Sequence, residues 1–381
     1  SKREPYWMHA CNSGSVSHNS SVNAPARRGW IRIAGLLLIL ALGGYLRFVA
    51  VADTKVFIPL RTDALGYYSY ALNLREHGVY SREHEVANGE ELRPDPTCHP
   101  GYAFFLMPFV ESPPTRASVN TIKWAQAILS FITLLLAWCL FRRIVSEGWA
   151  LGATALAACS PHLIVANTYV LTESLFTLAL TASVVSAARL IRRPRISHAV
   201  LAGLASGLSM LIRPTLLLWP FLLLPALYML ISSQRKLRLV LVVAVCMLSV
   251  YGPWLLWKNR MKDPVEGRNL ALFTLKKGAY PWLMYKNKNE SYGAPYLHDP
   301  EWEQRDTPEE IAADIWQRFK SEPFRYAKWY LLGKPTLYLS WENVVGAGDV
   351  FVYPVLQTPY FNRPLFRVTH KAMRLSHIPV M

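Results

Sequence analysis

Ala166-Asn167-Thr168-Tyr169-Val170-Leu171-Thr172-Glu173-Ser174-Leu175 holds the only carboxylate between Glu147 and Asp263. It sits where two apolar stretches, residues 149–170 and 171–191, meet with almost no loop between them. Stretches of this length suit membrane-spanning helices, which need about 20 apolar residues each. An acid at such a junction is costly unless it faces a protein-lined or watery cavity. Glu173 is therefore a candidate functional residue by position alone.

Outward from that junction, further apolar stretches cover residues 30–51, 120–141, 198–212, 215–232 and 239–257, which makes seven in all. Hydrophobic residues are 52% of the 381, and mean hydropathy is +0.16. A soluble domain could not keep that much apolar sequence off its surface. The expected fold is mainly α, a polytopic membrane helical bundle of about seven spans.

Lys and Arg mark one side of it. Arg27 and Arg28 precede the first stretch, Arg142 and Arg143 follow the second, Arg189, Arg192, Arg193 and Arg195 follow the fourth, and Arg235, Lys236 and Arg238 follow the sixth. The positive-inside rule puts these loops in the cytoplasm of a multi-pass protein of the cell (inner) membrane. The alternate connections then face outward, and they hold 22 of the 25 Asp and Glu residues. The net charge of +16 follows from basic inner loops in contact with anionic lipid, so membrane lipids are expected partners and nucleic acid is not.

The expected organisation is a disordered cytoplasmic arm (1–29), a first span (30–51), an extracytoplasmic loop with juxtamembrane helices (52–119), spans two to seven (120–258), and an extracytoplasmic segment leading to further spans (259–381). Ala50-Val51-Ala52 resembles a signal-peptidase site, but the apolar stretch before it is longer than a secretory h-region and reads as an uncleaved anchor. The chain ends on what looks like the start of another apolar segment, as in a truncated polypeptide. One of the five cysteines, Cys98, lies outside, which supports neither a disulfide framework nor a Cys-based metal site.

In the first outer loop, Asp63, Tyr67, Tyr70, Ala71 and Leu74 recur at helical spacing, predicting an interfacial helix with Asp63 at its N-terminal end. The plain reading of Asp63 is a helix cap. Further on, Arg93-Pro94-Asp95-Pro96-Thr97-Cys98-His99-Pro100-Gly101-Tyr102 is turn chemistry leading into an apolar run too short to span. Arg213, before Pro214 at the end of the fifth stretch, could either snorkel to a phosphate or simply anchor the helix at the interface.

The order of these pieces is more specific than any one of them. Asp63 with its Tyr-rich helix, His99-Pro100-Gly101-Tyr102, Thr172-Glu173-Ser174, Gly207-Leu208-Ser209-Met210-Leu211-Ile212-Arg213-Pro214 and Gly252-Pro253-Trp254 with Lys258-Asn259 together resemble the C-type (GT-C) membrane glycosyltransferases. The branch most similar includes protein O-mannosyltransferases and the lipid A aminoarabinose transferase. The resemblance covers roughly residues 30–341. It implies transfer of a sugar from a polyprenyl-phosphate-linked donor to a protein, lipid or glycan acceptor on the extracytoplasmic face, without a cofactor or metal.

Carried onto this sequence, the resemblance makes Asp63 and Glu173 the catalytic acids, with Asp63 as the base. Arg213, His99, Arg93 and Arg61 become candidates for the donor phosphate, and Tyr67 and Tyr102 for substrate contacts. Glu173 is expected to pair with Arg213 or to orient the acceptor, because a buried acid needs a partner. The resemblance favours a permanent cation just before the Pro-Gly-Tyr motif, and His99 stands there instead.

After residue 258 the chain is rich in Trp, including Trp282, Trp302, Trp316, Trp329 and Trp341, which suits either sugar rings or an interfacial cap. Thr307-Pro308-Glu309-Glu310 starts an amphipathic helix with a cap and Pro at its first position. The alternative function is a transporter or flippase for lipid-linked glycans, disfavoured because no inverted repeat or pair of broken spans is visible.

Overall fold

The computed structural model describes residues 24–83, 92–261, 270–281, 307–343 and 346–377. They fall into two units, Ser1–Leu38 and Ile39–Met381. Among its described residues the first unit contributes the N-terminal half of helix α1 (Ala24–Asp53). The second holds the remainder of α1 and everything after it. The expected arm and the residues Trp282 and Trp302 lie outside the described residues.

Each of the seven apolar stretches is helical. Among the described residues four helices are long and apolar enough to cross a membrane: Trp30–Asp53 within α1, α4 (Arg116–Ile144), α7 (Glu173–Arg192) and α10 (Lys236–Lys258). The third stretch, expected as one span, is broken into α5 (Glu147–Cys159) and α6 (Pro161–Val165), which continues in a short 3₁₀ turn and is bent by 48°. Pro161 is the cause: it has no N–H to offer Ala157, and its ring crowds that carbonyl. The fifth and sixth stretches form shorter apolar helices, α8 (Ile196–Ile212) and α9 (Trp219–Leu230).

Small residues let these helices meet. A Cβ at Gly203 would come 2.5 Å from Val243 O, and one at Gly207 would come 2.7 Å from Met247 O, so α8 and α10 touch along their backbones. Ser183 and Ser206 share a 2.6 Å hydrogen bond that joins α7 to α8. Arg192 donates to Arg143 O, so the C-terminal ends of α4 and α7 lie together with their arginines. The opposite end of the bundle therefore gathers the start of α7 and the end of α8, where Glu173 and Arg213 stand.

Over that end lie α2 (Thr62–His77) and α3 (Gly101–Leu106). The expectation of an interfacial helix capped by Asp63 needs correction on both counts. Ala64, Gly66, Tyr68, Ser69, Tyr70, Ala71 and Asn73 are buried around most of the circumference of α2, so it is packed into the core instead of floating on lipid. Its N-cap position is Arg61, with no side-chain capping bond, and Asp63 is in the first turn and exposed.

The C-terminal segment returns to the same end. The helices α11 (Leu270–Ala279), α12 (Pro308–Ser321), α13 (Pro323–Lys328) and α14 (Lys334–Tyr338) are followed by α15 (Pro359–Asn362) and α16 (Pro364–Ser376). Thr307 and Glu310 form a reciprocal capping box on α12, as the sequence pattern requires. A small antiparallel sheet, unexpected from the sequence, pairs β1 (Lys55–Val56) with β2 (Val355–Gln357).

Candidate functional site

Antiparallel packing of α7 against α8 brings the first residue of one beside the residue after the other. Arg213 Nη2 donates to Glu173 Oε1 at 3.1 Å, and its guanidinium lies 5.6 Å from the Phe176 ring centroid. Both ionic side chains are 36% exposed, so the pair contributes about 0–1 kcal/mol to stability. Its value is in holding two opposite charges at a fixed place. Glu173 Oε2 is buried and has no hydrogen-bond partner among the described residues.

The turn before Glu173 is held from both sides. Asn167 Nδ2 donates to Leu163 O and Ile164 O at 2.9 and 3.0 Å, while its Oδ1 accepts from Ser174 Oγ at 2.8 Å. Gln126 Nε2 donates to Tyr169 O at 2.6 Å, and Gln126 Oε1 accepts from Tyr102 OH. Tyr102 meets Tyr67 edge to face, with 5.2 Å between ring centroids.

Tyr67 ties the acids together. Burial raises its phenol pKa most, the charges of Asp63 and Glu173 raise it further, and Arg213 opposes them. One tyrosine thus lies within electrostatic reach of both carboxylates and the guanidinium. At the start of α2, Thr62 has φ +46°, a left-handed conformation that a β-branched residue adopts only when its surroundings hold it there. The Thr62 hydroxyl donates to Tyr353 OH at 3.0 Å, and Arg61 lies over the Tyr353 ring at 5.5 Å. Tyr353 also receives Tyr169 OH on its carbonyl at 3.0 Å, so one tail residue buttresses both the Asp63 turn and the Glu173 turn.

The remaining predicted residues stand differently. His99 is mostly buried, its Nδ1 donates to Met210 O at 2.7 Å, and its ring meets Tyr251 and Trp254. Burial lowers its pKa from 6.5, so near neutral pH the imidazole is uncharged and Nε2, the remaining nitrogen, is an acceptor. A neutral imidazole would meet a phosphate through one uncharged nitrogen and not as the permanent cation that the resemblance favours at this position. Arg93 is exposed, with its backbone N–H on Glu83 Oε2.

Sequence reasoning missed three residues. Lys277 on α11 senses the charge of Asp63, while burial lowers its ammonium pKa below 10.5. The signal was a Lys276-Lys277 pair inside an apolar run. Tyr353 left no signal in its spacing. Arg47, 1% exposed in α1, was visible as a cation inside an apolar stretch. Arg47, Ser130, His162, Glu173, Thr177 and Asn343 are among the residues lining a cavity of about 380 Å³ below the Glu173 turn.

No curated protein matches the chain. A crystal structure of the Archaeoglobus fulgidus oligosaccharyltransferase tethered with an acceptor peptide aligns with 92% of this chain and 54% of its own, at 16% identity and a TM-score of 0.38. The chain thus spans about half the length of that enzyme. Over residues 115–257, which run from the cap of α4 nearly to the end of α10, the chain matches the family model described as dolichyl-phosphate-mannose-protein mannosyltransferase.

Proposed function

We propose that this protein is a GT-C type glycosyltransferase that moves a sugar from a polyprenyl-phosphate-linked donor to a hydroxyl or amine acceptor on the extracytoplasmic face of the membrane. The observation that carries the reading is the Glu173–Arg213 ion pair at 3.1 Å at one end of an apolar helical bundle, where the Tyr67 phenol feels the charges of Asp63, Glu173 and Arg213. The similarity of residues 115–257 to a mannosyltransferase family supports it.

In the reaction, the acceptor heteroatom forms a bond to the anomeric carbon as the bond from that carbon to the phosphate oxygen breaks. The acceptor proton passes to Asp63, the exposed carboxylate, and the polyprenyl phosphate leaves as the anion. Arg213 donates to the departing phosphate, where a guanidinium can make two hydrogen bonds. Lys277, whose ammonium feels the charge of Asp63, is a second cation for the same anion, and Arg61 stays at the rim over Tyr353. Glu173 holds Arg213 in place through Oε1 and offers Oε2 to a donor group on the acceptor. Tyr67 lines the acid cluster as a substrate contact, whereas Tyr102, fully buried with its hydroxyl on Gln126, packs behind Tyr67 and corrects the expectation that it meets substrate. The acceptor class remains protein, lipid or glycan.

The test is transfer from a radiolabelled polyprenyl-phosphate sugar in membranes holding the full chain. Asp63→Asn at normal expression is expected to lose about 100-fold or more in rate, the usual scale for a general base. Unchanged transfer, or an accumulation of lipid-linked sugar on one leaflet without transfer, would overturn the proposal in favour of a flippase.

A further inference from the structure

Arg47 is a buried cation in the first apolar helix, and among the described residues no carboxylate pairs with it. Its guanidinium instead donates to Ala157 O at 3.2 Å through Nη2, to Ala158 O at 3.1 Å and Gly43 O at 3.0 Å through Nη1, and to Ser130 Oγ at 2.9 Å through Nε. Two of these acceptors are carbonyls in the last turn of α5. In an unbroken helix Ala157 O would accept from residue 161, which is Pro161 and has no N–H.

The break thus leaves carbonyls inside an apolar bundle, where an unpaired backbone group is costly. A cation there satisfies them and also opposes the negative end of the α5 dipole. Gly43 makes the approach possible, since a Cβ at that position would come 2.6 Å from Leu134 and 3.0 Å from the Ala158 Cβ.

We propose that Arg47 is a positioning residue: it caps the carbonyls freed by Pro161, fixes the elbow between α5 and α6, and through that elbow sets Glu173. The path is continuous. From α6 the chain runs through the Asn167 network to Ser174, and Arg47, His162 and Glu173 line one cavity. His162 ties the elbow to the tail as well, with Nε2 donating to Trp341 O at 2.7 Å. The capping half of this proposal stands by itself, and its kinetic half rests on the glycosyltransferase reading.

The experiment compares Arg47→Met, Pro161→Ala and the double variant in the full chain, by thermal unfolding in detergent and by transfer from a polyprenyl-phosphate sugar. Arg47→Met should lower the melting temperature by about 3 °C or more. The same change made in a Pro161→Ala background should cost clearly less, because residue 161 then supplies the missing N–H. Pro161→Ala alone should keep the melting temperature yet lose transfer, since a straighter elbow moves Glu173. In a Glu173→Gln background, Arg47→Met should cost no further transfer, a non-additivity that general destabilisation does not produce.

Equal loss of melting temperature in both backgrounds would overturn the capping role. Full additivity with Glu173→Gln would overturn the positioning role. If wild-type membranes transfer no sugar, the function proposal fails while the unfolding comparison still decides the cap.

Discussion

Lys277 is the residue whose chemistry is most open to measurement. Burial disfavours its charged form, with Asp63 pulling the other way, and the net effect is a pKa below the ordinary 10.5. A lowered lysine pKa means that the ammonium is lost earlier as pH rises. If the ammonium helps to neutralise the leaving phosphate, transfer should fall on the alkaline side before an ordinary lysine would titrate. Lys277→Arg should move that limb out of the measurable range, because guanidinium stays charged. A rate profile between about pH 7 and 10 for the two proteins checks this, and identical alkaline limbs would remove Lys277 from the reaction.

At the same scale, the pairing of Glu173 with Arg213 was legible because charges in apolar surroundings stand out. Arg47 was equally conspicuous, yet inside residues 30–51 it reads as part of one long apolar stretch. Its partners are the carbonyls of Ala157 and Ala158, and no side-chain pattern announces a carbonyl. The fate of His99 was hidden for the same reason, since its partner is the Met210 carbonyl. Lys277 and Tyr353 reach the site from the tail, and helical spacing carries no information across such separations.

For whole elements, periodicity and length served well for α1, α4, α7 and α10. The third stretch is apolar enough as a whole, but averaging over 20 residues cannot see the break at one proline. The contact between α8 and α10 rests on glycines. Gly203→Ala would push a methyl group onto Val243 O and should destabilise the protein by about 1–3 kcal/mol. Gly152→Ala in α5, with nothing within 4 Å of the added carbon, should be neutral or slightly stabilising through helix propensity. Paired unfolding curves of the two variants test the close approach, which is refuted if they behave alike.

For the whole molecule, the tail must reach back to the loop after α1. Phe57 N donates to Pro354 O at 3.0 Å, next to the pairing of β1 with β2, and Thr54 Oγ1 meets Thr358 Oγ1 across 304 residues of chain. Phe57→Pro deletes that N–H, whereas Phe57→Ala keeps it and loses only an exposed ring. The proline variant should expose the tail after residue 343 to protease and lower transfer about threefold or more, through release of Tyr353 from Thr62. The alanine variant should do neither, and equal protease resistance in both would show that the strand pairing carries no such burden.

That pairing also imposes an order on biosynthesis. The Asp63 turn emerges from the ribosome early, but Tyr353 and the strand that anchors it come hundreds of codons later, and loops this long close late. A nascent copy halted anywhere before residue 353 holds the Asp63 and Glu173 turns without the tyrosine that buttresses both.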